Sequence, residues 1–236
     1  DDWYRKVRGT ATYVDDLPDP AGTVYAASVR SDHPHARIVA IDSSAALALP
    51  GVLGIFDRDH LDGLDPIVRI GEYAGHTREH GESADQHLIA VDKARFDGDL
   101  IAVVVAESMD LARRAAALVE VDYEVLPTVL TVEQALAPDA ALLHEDLGTN
   151  LACEDSFEWG DVDAGMAQAD RIIEETYVTP TAFHHPMEAV GSCLAWYRPD
   201  AVTLWLPTNK PFNPVGQIVE LFGIPAASVR VLVPEV

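Results

Sequence analysis

Apolar positions along this chain of 236 residues fall into short runs broken by glycine, proline and acidic residues. That spacing predicts strands alternating with helices. Val24–Val29 and Ala36–Ile41 read as strands. Ser43–Leu49 reads as a short Ala-rich helix stopped by Pro50-Gly51, and Val52–Phe56 as the next strand. The continuous run Leu100–Ala106 is expected to be a strand covered on both faces. Ser108 then caps a helix that should bury Leu111, Ala115 and Leu118 and turn Arg113 and Arg114 outward. Val119–Val125 follows as a strand, which makes a β-α-β unit ending at Leu126-Pro127.

Residues 127–152 are patchy, with one short helix at Val132–Leu136, and read as a connector. The second half carries a capped helix from Asp161 and strands at Arg171–Val178, Gly191–Trp196 and Val202–Leu206. A final helix is expected with Asn213 at its cap and Pro214 at its first position. Val215, Ile218, Val219 and Phe222 should line one face, and Gly223 should close it. The last strand, Val229–Val233, runs into Pro234-Glu235-Val236. Ligands of α/β proteins sit beyond the carboxyl ends of strands. The expectation is therefore a sequence that reaches the edge of a site and needs further protein to finish it.

Composition narrows the function classes. A net charge of −23 runs against nucleic acid, which is held by clustered Lys and Arg, and against anionic membrane surfaces. The longest purely apolar run is Leu100–Ala106, far short of a membrane span. The two cysteines, Cys153 and Cys193, make neither a disulfide framework nor a four-ligand metal site and read as reduced thiols of a cytoplasmic protein.

Three constellations could carry chemistry. His76-Thr77-Arg78-Glu79-His80 has the spacing of an inverted zinc-protease motif. A metal would need both imidazoles on one helical turn, but glycines at 71, 75 and 81 bracket the motif, so a polar loop over 71–83 is the preferred reading. His184-His185-Pro186-Met187-Glu188 approaches a strand, where adjacent side chains point to opposite faces. His185 with Glu188 could form a buried polar cluster, with satisfied core residues the plainer alternative. Cys193 in an apolar strand context reads as packing rather than as a nucleophile.

The order of segments adds a resemblance. Residues 8–56 (RGTATYVDDLPDPAGTVYAASVRSDHPHARIVAIDSSAALALPGVLGIF), 87–127 (HLIAVDKARFDGDLIAVVVAESMDLARRAAALVEVDYEVLP), 160–170 (GDVDAGMAQAD) and 184–197 (HHPMEAVGSCLAWY) are similar, in register, to the molybdenum-binding subunit of the xanthine dehydrogenase and aldehyde oxidase family. The resemblance implies an α/β (α+β) fold. An α/β hammerhead domain would occupy 1–127 and a connector 128–152, and residues 153–236 would be the first, incomplete part of a molybdopterin-binding domain. It implies an oxidation of aldehydes or N-heterocycles on a molybdopterin cofactor, with electrons leaving through iron–sulfur clusters and FAD on partners. In that family the strand before the final helix leads into Ser-Thr-Gln, whose Gln bonds a metal ligand. Here Pro207-Thr208-Asn209 stands instead, with Thr208 and Asn209 cofactor-proximal, and Asn gives up roughly 1.5 Å of reach. Phe96-Asp97-Gly98-Asp99-Leu100 also departs from the family's aromatic-Val-Gly-Gln/Glu-Pro turn. The family's Gly-rich loop and catalytic glutamate lie beyond these residues.

The favoured expectation is thus the N-terminal half of a molybdenum hydroxylase subunit, a split subunit or fragment. It would bind no cofactor by itself and be inactive alone. Its partners would be the remainder of the molybdenum subunit and the iron–sulfur and FAD subunits, or a second copy in a homo-oligomer. Two alternatives stay open: a stand-alone small-molecule site rebuilt from His185, Glu188 and Asn209, and a metal-dependent hydrolase using His76 and His80.

Overall fold

The computed structural model describes residues 2–61, 68–70, 84–151, 157, 159–182, 193–198 and 200–235. A short helix α1 (Asp2–Val7) leads into strands β1 (Tyr25–Arg30) and β2 (Ala36–Asp42), a one-turn helix α2 (Ser44–Leu47) and strand β3 (Val52–Phe56). Strands β4 (Val68–Ile70) and β5 (Ala84–Gln86) pair antiparallel with each other. Then come β6 (Lys93–Ala94), β7 (Leu100–Ala106), helix α3 (Met109–Ala116), β8 (Glu120–Val125) and α4 (Val132–Ala135). The second half holds α5 (Val162–Gln168), β9 (Leu194–Arg198), β10 (Ala201–Trp205), α6 (Phe212–Phe222) and β11 (Val229–Leu232). The architecture is the mixed α/β arrangement expected, built mainly from antiparallel sheets.

Strand β7 is the centre of the first half. It runs antiparallel between β1 and β3, and Ile101, Ala102, Val104 and Ala106 are wholly buried. A strand covered on both faces has no polar face to present, which is why its sequence is an unbroken apolar run. Helix α3 starts where Ser108 Oγ accepts the N–H of Leu111 at 3.3 Å. It packs on β1 and β7 through Ala112 and Ala115, whose small side chains let the helix axis approach the sheet. Leu118, expected on that face, lies beyond the end of the helix and is 41% exposed. The β-α-β order holds, but its strands go to different sheets: β8 pairs antiparallel with β2, which also holds β6. Periodicity describes which face of a strand is covered, not which neighbour it takes.

A bulge at Val39 breaks the β2–β8 register. Bulges turn backbone carbonyls out of the ladder. Arg58 meets them: Nη1 donates to the carbonyls of Ile38 at 2.9 Å and Val91 at 3.1 Å, and Nη2 to that of Val39 at 3.3 Å.

In the second half, Asp161 caps α5 by accepting the N–H of Ala164 at 2.8 Å. Sheet order is β11-β10-β9, with β9 antiparallel and β11 parallel to β10. A parallel neighbour needs a crossover, and α6 is that crossover. It begins two residues earlier than Asn213, with Pro211 at its cap, and ends at Gly223 (φ 63°), whose N–H bonds Val219 at 2.9 Å. Leu221 rather than Phe222 is its buried anchor; Phe222 is 55% exposed.

The strand expected at Arg171–Val178 does not form. Residues 171–182 are irregular, and Ile172, Ile173, Tyr177 and Val178 stand 61–87% exposed. The segment has strand-forming side chains, but a strand needs a hydrogen-bonded neighbour, and none pairs with it among the described residues.

Candidate functional site at the carboxyl edge of the parallel pair

In a parallel pair joined by a helix, both strands finish at the same edge, and the connections leaving it are where ligands are held. Here the edge is made by residues 206–211 after β10 and 233–235 after β11. The two are tied together: Leu206 N–H donates to the carbonyl of Leu232 at 3.0 Å. Pro207 follows. Thr208 Oγ1 then accepts the N–H of Lys210 at 3.1 Å, folding a tight turn that leaves Asn209 exposed at its tip. Sequence reasoning singled out Thr208 and Asn209, and both stand at this edge. Helix α6 starts just after, with no acidic residue in its first turn and no side-chain cap on its first N–H groups.

The edge also holds residues that sequence reasoning did not single out. Glu235 is buried, and its Oε1 lies 3.0 Å from Nη1 of Arg5 in α1, an ionic contact without a well-aligned hydrogen bond. No local pattern signals a pair drawn from opposite ends of a sequence.

A second buried cluster fastens the connector to the first half. Lys93 is wholly buried. Its ammonium donates to Glu145 Oε1 at 2.8 Å and the carbonyl of Leu142 at 3.2 Å, and it lies 3.3 Å from His35 Nε2. With Nε2 accepting from Lys93, the hydrogen of His35 sits on Nδ1 and is donated to the carbonyl of Pro127 at 2.7 Å. The hydrogen bond from Lys93 holds the Glu145 carboxyl below its ordinary value. Nearby, burial and then the Arg95 charge push the His144 imidazole down. Every proton of the lysine is used within the fold, so this cluster is a structural latch.

His185 and Glu188 lie outside the described residues, as do His76, His80, Cys153 and the whole 71–83 loop. Among the described residues, no group of three or more His, Cys, Asp or Glu side chains could hold a metal ion. Cys193 carries an exposed free thiol whose pKa is lifted by desolvation from the groups around it, the opposite of what activates a nucleophile. No described helix is long and apolar enough to cross a membrane.

An antiparallel three-stranded sheet flanked by an Ala-faced helix, followed by a parallel β-α-β edge, defines a two-part α+β protein. The chain belongs to the aldehyde oxidase and xanthine dehydrogenase family: residues 8–127 match its a/b hammerhead domain, and residues 143–236 match the molybdopterin cofactor-binding domain. It is similar to the nicotinate dehydrogenase large molybdopterin subunit of Eubacterium barkeri, with 32% identity over 231 residues that cover 98% of this chain and 51% of that protein. Its identity to the xanthine dehydrogenase molybdenum-binding subunit of Escherichia coli O157:H7 is 36% over 228 residues, covering 96% and 30%. Quinoline 2-oxidoreductase from Pseudomonas putida 86 has the same fold, with a TM-score of 0.87 at 30% identity, over 99% of this chain and 29% of that one. The chain thus spans about half the length, or less, of the curated relatives it matches.

The family implies a molybdopterin cofactor, and the residues at the edge fit part of its cradle. The Asn209 amide, the Thr208 hydroxyl and the uncapped, acid-free first turn of α6 are neutral or donor groups suited to a polar, phosphate-bearing ligand.

Proposed function

We propose that this chain is the N-terminal part of the molybdenum-binding subunit of a cytoplasmic hydroxylase that oxidises aldehydes or N-heterocycles. Its domain junction falls in the 128–152 connector. The observation that carries the reading is the family match, hammerhead then cofactor domain, running in order across nearly the whole chain. Names of relatives support the substrate class, since nicotinate, xanthine and quinoline are all N-heterocycles.

When bound, molybdopterin would supply the two-electron oxidation, with iron–sulfur and FAD partners draining the electrons. The residues of this chain frame it. Thr208 shapes the turn, and Asn209 would present its amide toward the bound cofactor from a shorter arm than Gln. The ladder bond between Leu206 and Leu232 keeps the two loops together. The chain would act as a scaffold for the cofactor-bearing remainder of the subunit and be inactive without it, in keeping with its covering about half the length, or less, of its relatives. Among the described residues strand β11 is an edge of its sheet, and Phe212 and Phe222 on α6 are 86% and 55% exposed. An open edge beside exposed apolar side chains favours association.

The test is co-expression of the chain with the cofactor-bearing remainder of the subunit. The two should co-purify, and Val231→Lys should weaken the association. A chain that stays monomeric at high micromolar concentration and captures no remainder would contradict the proposal.

A further inference from the structure

Glu235 is a carboxylate whose side chain is only 5% exposed, at the edge where β10 and β11 finish. A buried carboxylate persists only with a countercharge, since desolvation disfavours the lone ion. The countercharge is Arg5, which comes from outside the sheet. Its helix is ended by Gly9 (φ 66°), and the carbonyl of Arg5 accepts the Thr10 N–H at 2.8 Å and the Thr10 hydroxyl at 3.3 Å. The guanidinium is further steadied by Nη2 donating to Thr12 Oγ1 at 3.5 Å. The Arg5 backbone is thus held by Thr10, while its half-exposed guanidinium is oriented by Thr12 and Glu235 together.

From Glu235 the restraint passes into the site. Leu232, three residues earlier, accepts the N–H of Leu206 at 3.0 Å, and Leu206 opens the turn that carries Thr208 and Asn209. We propose that Arg5 is a positioning residue: through Glu235 it clamps the carboxyl end of β11 and, through Leu232 and Leu206, sets the turn that presents Asn209. The first residues of the chain thereby tune the geometry of the second domain's edge. This inference rests on the functional reading above for the identity of the ligand, but the clamp itself does not.

The experiment compares wild type, Arg5→Met, Arg5→Lys and the charge swap Arg5→Glu with Glu235→Arg. Backbone hydrogen exchange of the chain is read by mass spectrometry, and molybdenum content is read in the assembly with the cofactor-bearing remainder. Arg5→Met should speed exchange of residues 206–210 and 232–235 about tenfold or more, leaving β7 unchanged. Arg5→Lys and the swap should restore most of the protection, and molybdenum retention should follow the same order. Unchanged exchange in Arg5→Met, or no recovery in the swap, overturns the clamp. Faster exchange with full molybdenum retention overturns the positioning role. An assembly that holds no molybdenum even with Arg5 present overturns the functional reading instead, while exchange still decides on the clamp.

Discussion

Replacing Lys93 by Met should destabilise the first half of the protein far more than removing the charge of its ion-pair partner. Lys93 is wholly buried, whereas the Glu145 side chain is 60% exposed. Met keeps most of the volume of the aliphatic stem, so little cavity forms. What is lost is the ammonium, leaving the buried His35 Nε2 and the Leu142 carbonyl without a donor. An unsatisfied buried acceptor costs about 1–3 kcal/mol, and because the Leu142 carbonyl is only half-buried the pair falls in the lower part of the doubled range, about 2–4 kcal/mol. Glu145→Gln keeps an acceptor oxygen on a largely solvated side chain and should cost below about 1 kcal/mol. The assay is urea unfolding followed by circular dichroism, with exchange of the 142–147 peptide as the local readout. Because the Glu145 pKa is depressed in the fold, its contribution is fully present above the ordinary value of 4.5 and is lost as pH falls through the lower folded value. The acid-dependent part should therefore vanish in Glu145→Gln. Equal losses in the two variants, or a Lys93→Met protein within about 0.5 kcal/mol of wild type, would refute the reasoning.

Three further outcomes follow from local geometry. Arg58→Met should cost about 2 kcal/mol in denaturant unfolding, because three carbonyls around the Val39 bulge lose a charged donor. Gly51→Ala should lower the melting temperature: φ is 90°, and the new Cβ would stand 2.8 Å from Leu111 Cδ2. Cys193 should react with iodoacetamide at neutral pH more slowly than a free cysteine and catch up as pH rises, since its thiol pKa is lifted by desolvation.

Much of the fold was legible because its signals are local. The apolar run of β7, the Ser108 and Asp161 caps and the Gly223 stop all act within a few residues. What escaped depends on partners distant in sequence. The pattern of residues 171–178 is a strand's, yet strand formation waits on a neighbour. Strands β7 and β8 read as one unit but pair into separate sheets, and α3 anchors through Ala112 because it stops before Leu118. Thr208 and Asn209 were singled out through the order of family-like segments, not through composition, and the structure places them in the turn after β10. Arg5, Glu235 and Lys93 were not marked, since a lone charge in a polar or short segment looks like a solvated one until the fold buries it.

On the proposed function, this chain frames a molybdopterin site that the remainder of the subunit completes. Molybdenum content measured by mass spectrometry tests this most directly, on the purified chain and on its assembly with the cofactor-bearing remainder of the subunit. Metal should be near background in the chain and near one equivalent in the assembly; stoichiometric molybdenum in the chain alone, or none in the assembly, would overturn the shared site.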